Sequence, residues 1–251
     1  MGTIPIMNIE YYLRSGMMKR GLLIILAVLC AALLYAGDVA AFDDIGFSAD
    51  GKTYVFGQYG ITDKTFQGYA ELYAVDIDSN EFVPSGIYRT QASSATAGKG
   101  GREVYDALVE KNAAWLSKWN AAPAGIMNTL FMRTDEAKNV TVPIVVNDYE
   151  HSEEGNLCSY TFTLVPFVQG SGDAAVSSFY INVEKKDADG NQILKFVAGS
   201  PDVKRKGVSG YAIDKIMCDD AGSRFVIVVE KISDEGTAPS VRYMVETFKL
   251  N

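Results

Sequence analysis

Four groups of residues have types and spacings that could do chemistry. Gly46-Phe-Ser-Ala-Asp-Gly51-Lys52-Thr53 fits the phosphate-loop expression GxxxxGK[ST]. That chemistry needs a strand, the loop, and then a helix whose free amides hold phosphate oxygens. Tyr54-Val55-Phe56-Gly57 follows instead, which reads as a strand and a glycine. The Asp50-Gly51 step is a hairpin turn on this reading, and no nucleotide is expected. Asp76-Ile-Asp78-Ser-Asn80 and Asp187-Ala-Asp189-Gly-Asn191 begin like calcium loops. Both lack the acid that should stand at the twelfth position, where Ile87 and Ala198 are found. Their carboxylates are expected to cap turns through backbone hydrogen bonds.

The third group is the acidic stretch Asp148-Tyr-Glu150-His151-Ser-Glu153-Glu154-Gly155-Asn156, which holds the chain's single histidine and where a divalent cation could sit. One histidine excludes multi-histidine zinc sites and leaves His151 as the sole candidate base for a serine or cysteine nucleophile. No nucleophile is positioned with it in sequence, so the stretch reads as a solvated loop. Paired carboxylates of the glycoside-hydrolase type remain open, since acids abound and none stands out. No catalytic residue, cofactor or metal ligand is assigned.

The fourth group is the cysteines. Cys30 lies within the apolar run Gly21–Leu34, where Leu29 precedes it in place of the small residue that lipidation needs. Cys158 and Cys218 remain, with no CxxC and no metal spacing. In an exported chain such a pair is a disulfide candidate, and otherwise two buried thiols.

Export is the expectation that organises the rest. Met17-Met18-Lys19-Arg20 is a basic start and Gly21–Leu34 is apolar, with Ala36 offering a small residue before Gly37. This makes 17–36 a signal peptide, cleavage falling between Ala36 and Gly37, and 1–16 an extension upstream of the natural start. An uncleaved segment would anchor the chain in the membrane. The chain carries a net charge of −8, and the part after the leader is near −10. That sign argues against nucleic acid, whose recognition needs a basic surface. The expected compartment is periplasmic or secreted.

Residues 37–251 read as one β-rich domain. Tyr73, Val75 and Ile77 alternate with polar or small residues, as do Tyr160, Phe162 and Leu164. Phe225–Val229 is continuously apolar, the pattern of a strand buried on both faces. One segment changes period: Val104, Leu108, Trp115 and Trp119 recur at helical spacing across 102–120, after a flexible stretch at 91–101. This is one inserted amphipathic helix, its tryptophans turned to the core. Ile45–Phe56 also aligns without gaps on Ile216–Ile227, each a strand, an acidic turn with Gly, and an apolar strand. Such units recur in propeller blades, and a sandwich of antiparallel hairpins fits as well.

Phe47-Ser48-Ala49-Asp50-Gly51, Phe56-Gly57-Gln58-Tyr59-Gly60 and the ending Val241-Arg242-Tyr243-Met244-Val245-Glu246-Thr247 resemble the predicted secreted proteins of spirochaetes catalogued as domain of unknown function 2259. The resemblance implies an envelope or secreted setting and no known activity or ligand. Arg242 and Glu246 could pair along a strand face. The expected function is a non-catalytic binding or scaffold module for an envelope protein or glycan, with Tyr54, Tyr59 and Tyr69 as recognition residues. A carboxylate hydrolase acting on glycan or peptide, and a purely structural envelope component, are the alternatives.

Overall fold

A computed structural model of the chain describes residues 38–134, 142–153, 156–234 and 239–250. The expected leader at 17–36 and the Ala36–Gly37 junction lie outside these residues. Thirteen strands form three antiparallel sheets. The first is the meander β1 (Ala41–Phe47), β2 (Thr53–Ile61), β3 (Gly68–Asp76) and β4 (Glu81–Thr90). The second runs β6 (Ile144–Asp148), β7 (Cys158–Gln169) and β8 (Val176–Lys186). β9 (Gln192–Ala198) and the short β10 (Arg205–Lys206) both pair with β8. The third has the order β13-β12-β11-β5, built from β5 (Thr129–Met132), β11 (Gly210–Cys218), β12 (Arg224–Ser233) and β13 (Ser240–Lys249).

The side-chain period of two decides how the sheets stack. On β12, Phe225, Ile227 and Val229 pack with Phe162, Phe179 and Ile181 of the second sheet. The intervening Val226 and Val228 pack with Tyr54, Phe56 and Tyr73 of the first. The third sheet therefore lies between the other two, and the apolar run at 225–229 is buried on both faces as its pattern predicts. Every residue from Phe225 to Val229 is wholly buried, so each large side chain contributes about 1.5–3 kcal/mol. The molecule is a stack of sheets, the sandwich branch of the expected architectures.

The far face of the first sheet is covered by helix. Val55, Ala70 and Leu72 meet Val104, Tyr105, Leu108 and Trp115. The insertion is two helices rather than one: α1 (Gly101–Lys111) and α2 (Ala113–Leu116). Asn112 breaks them because its side-chain amide donates to Leu108 O at 2.8 Å, competing with the helix ladder. The lead-in at 91–101 is ordered by a 3-10 turn at Ser94–Thr96 and by pairing of Ala97 with Gln67. Tyr54 and Tyr69 are buried and Tyr59 stacks on Tyr105, so these tyrosines are core residues and not a recognition surface.

The sequence repeat is a structural repeat. In the β1–β2 turn, Ser48 N donates to Thr53 O at 2.8 Å, Gly51 N to Ser48 O at 2.8 Å, and Thr53 N to Ser48 Oγ at 2.9 Å. In the β11–β12 turn, Asp219 N donates to Arg224 O at 2.9 Å, Gly222 N to Asp219 O at 2.9 Å, and Arg224 N to Asp219 Oδ1 at 3.0 Å. Gly51 (φ +68°) and Gly222 (φ +61°) take the same left-handed place. The phosphate-loop match is thus a hairpin turn, with a strand where nucleotide chemistry needs a helix.

Candidate functional site

The residues singled out by sequence are mostly consumed by local structure. Asp76 Oδ1 accepts from Ser79 N and Oγ, both at 2.9 Å, and Asp78 pairs with Arg224 at 2.7 Å. Asp187 accepts from the amides of Asp189 (3.0 Å) and Asn191 (2.8 Å). Both calcium-like segments are turn caps. Among the described residues no group of three or more His, Cys, Asp or Glu is arranged to hold a metal ion.

The fold does bring together two groups that the sequence left apart. Asp148 is buried at the end of β6, and its Oδ1 lies 2.8 Å from His151 Nδ1. That same nitrogen lies 3.9 Å from Cys218 Sγ. The arrangement imitates a Cys–His–Asp relay but cannot act as one. A relay needs the acid and the thiol on opposite ring nitrogens, and here both face Nδ1. Burial also pushes the Cys218 thiol up to about 12, so it stays protonated. Cys158 and Cys218 are buried free thiols, and the expected bridge between them is not formed in this structure. The two sulfurs instead lie within reach of separate backbone carbonyls, those of Asn156 and Asn128.

A different place has the shape of a site. A cavity of about 760 Å³ opens beside β13, the edge strand of the third sheet. Its walls come from distant parts of the chain. β3 and β4 supply Tyr73, Phe82 and Arg89, and the β9–β10 connection supplies Gly199, Ser200 and Val203. β10 supplies Arg205, β12 supplies Lys231, and β13 supplies Tyr243 to Glu246. Three cations therefore converge on one hollow of an acidic protein.

The charges there differ in how they are held. Arg89 pairs with Glu71 at 3.1 Å and donates to Tyr73 Oη at 3.3 Å. Burial and the nearby Glu71 carboxylate raise the Tyr73 phenol to about 12, keeping it a donor. Arg205 stacks over Phe179 (5.0 Å) and Tyr211 (5.8 Å) and stands 3.7 Å from Glu246, a loose pairing. Glu246 is buried and accepts from Asn80 Nδ2 at 2.6 Å; burial raises its pKa above the ordinary range. Lys231 has no hydrogen bond or ion pair from its ammonium to any described residue, and burial pulls its pKa down.

Arg242 and Glu246 do not pair with each other. Arg242 binds Asp38 Oδ2 at 2.5 Å and lies over the Tyr69 ring at 4.1 Å, closing the other end of β13. Sequence reasoning missed Arg89, Arg205 and Lys231. One signal was present: Lys231 continues the row Phe225, Ile227, Val229, so period two puts a lysine on a buried face.

The match of a family model over residues 55–249 adds a class to this geometry. The chain belongs to the family described as predicted secreted protein, domain of unknown function 2259. No curated protein and no solved structure matches the chain. No helix of the described residues is long and apolar enough to cross a membrane.

Proposed function

We propose that this protein is a non-catalytic binding module of the cell envelope, exported through a cleaved leader at 17–36, and that the cavity beside β13 is its binding site. The observation that carries the reading is Lys231, a part-buried lysine whose ammonium makes no hydrogen bond or ion pair with any described residue and that lines a cavity with Arg89 and Arg205. A buried cation is costly unless something pairs with it. An anionic ligand, carried by an envelope protein or glycan, supplies that partner. Tyr73, Phe82 and Tyr243 offer apolar area around the anion.

The carboxylates support binding over hydrolysis. Glu246 is engaged by Asn80 and Arg205, while Glu81 sits exposed at the rim. The reading is tested by thermal-shift and calorimetric screens of anionic envelope fragments against the protein and Lys231→Met. Saturable binding that the variant loses, with fragments recovered unchanged, is the expected result. Turnover of any fragment overturns it. Sequencing the amino terminus of the exported protein should give a start at Gly37; an intact 17–36 segment overturns the cleaved leader.

A further inference from the structure

The edge of β13 is a row of outward-facing backbone groups, and the fold caps both groups of Val241 and of Tyr243 and the amide of Thr247. Val241 N donates to Asp38 O at 2.9 Å, and Val241 O accepts from Ala40 N at 3.0 Å. Tyr243 N donates to Gln58 Oε1 at 2.7 Å, and Tyr243 O accepts from Gln58 Nε2 at 3.3 Å. Thr247 N donates to Asn80 Oδ1 at 2.8 Å. The period of two makes Val245 the next outward residue between these caps. Its amide and carbonyl bond to no described residue, and it lines the cavity. An edge whose amides are held on both sides of Val245 differs from the open edges that invite whole strands.

We propose that this gap and Lys231 together capture the carboxy-terminal end of a short extended peptide, its penultimate residue pairing with Val245 and its terminal carboxylate meeting Lys231. The inference rests on the binding reading above and names the ligand for the same site. An extended residue presents its N–H and C=O to the same side, which matches the open donor and acceptor of Val245. The caps at Tyr243 and Thr247 leave room for one paired residue, so a longer strand cannot add. Alternate side chains of the peptide would lie against Tyr73, Phe82 and Tyr243.

The test uses ligand variants, which leave the protein's folding untouched. The probes are acetyl-alanyl-phenylalanyl-alanine with a free carboxylate, its carboxamide, its form N-methylated at the phenylalanine, and sodium acetate. Calorimetry on the purified protein should show one site for the free acid. The carboxamide and the N-methyl peptide should each bind at least about tenfold more weakly, and acetate more weakly still. Lys231→Met should erase the difference between acid and carboxamide. The same three residues at the end of a carrier protein separate a protein terminus from a free peptide: binding by both assigns chain ends generally, binding by the free form alone assigns small peptides. Equal binding of acid and carboxamide overturns the proposal, as does indifference to N-methylation or no peptide binding at millimolar concentration. If anionic fragments still bind in a Lys231-dependent way while the peptides do not, the binding reading stands and this assignment of the ligand falls.

Discussion

Two charged hollows among the described residues are built in opposite ways. The smaller, about 380 Å³, lies between the two repeated hairpin turns and is lined by Asp50, Asp219 and Asp220. Each of those acids is bonded. Asp50 accepts from Ser48 Oγ (2.7 Å) and Lys52 N (3.1 Å), Asp219 from Ser223 N (2.8 Å) and Arg224 N (3.0 Å), and Asp220 from Asn128 Nδ2 (2.5 Å). The larger, beside β13, keeps a lysine and a backbone pair uncommitted among the described residues. Charge alone does not mark a site: in the turns it stabilises local structure, whereas beside β13 it is left over. Substitutions between the turns should therefore cost stability, and substitutions at Lys231 should cost binding.

The largest expected effect is Gly222→Ala. A Cβ there would stand 2.4 Å from the His151 ring, at a backbone angle that side chains avoid. Equilibrium unfolding should show a loss of about 3 kcal/mol. Asp219→Ala should follow at about 2 kcal/mol, since it frees the part-buried amides of Ser223 and Arg224 at once. Gly51→Ala, at the equivalent place in the first turn, meets only Asp219 Oδ2 at 3.5 Å, and about 1 kcal/mol is expected. If Gly51→Ala costs as much as Gly222→Ala, the packing of His151 is not what separates the two turns.

In the other hollow, Lys231→Met should leave unfolding stability within about 1 kcal/mol of the parent, on the stable side, because no protein partner is lost. A large loss would show that the amine is structural. Glu246 gives the smallest effect and the clearest sign. Its folded pKa is raised by burial, so its titration stabilises the fold below the ordinary glutamate value and that contribution disappears as pH rises through the folded value. Melting scans of Glu246→Gln should gain on the parent between about pH 4 and pH 7. A gap that narrows over that range would mean Arg205 holds the carboxylate more tightly than its 3.7 Å distance implies.

Much of the fold was legible because period and turn chemistry are local. The hairpin at Asp50-Gly51, its second copy at Gly222, the doubly buried 225–229 run and the core-facing Val104, Leu108 and Trp115 all follow from neighbouring residues. The break at Asn112 was not legible, since it depends on one side chain outcompeting a helix bond. The site was almost wholly illegible. Tyr73, Arg89, Arg205, Lys231 and Val245 come from five strands, and no motif spans them. The tyrosines chosen as recognition residues were misplaced because burial depends on which sheet lies opposite. His151 and Cys218 are 67 residues apart, and only the stacking of the second and third sheets brings them into contact.

The third sheet lies between the other two, and three of its four strands are the last in the chain. The chain is synthesised amino terminus first, and this fixes an order of events. The first two sheets are made with their broad apolar faces bare, and the layer that covers both comes last. Nothing can zip up until the final strand is present. Until then the chain exposes its stickiest surfaces, and its folding yield is set by holdases that shield those faces as much as by the stability of the finished stack.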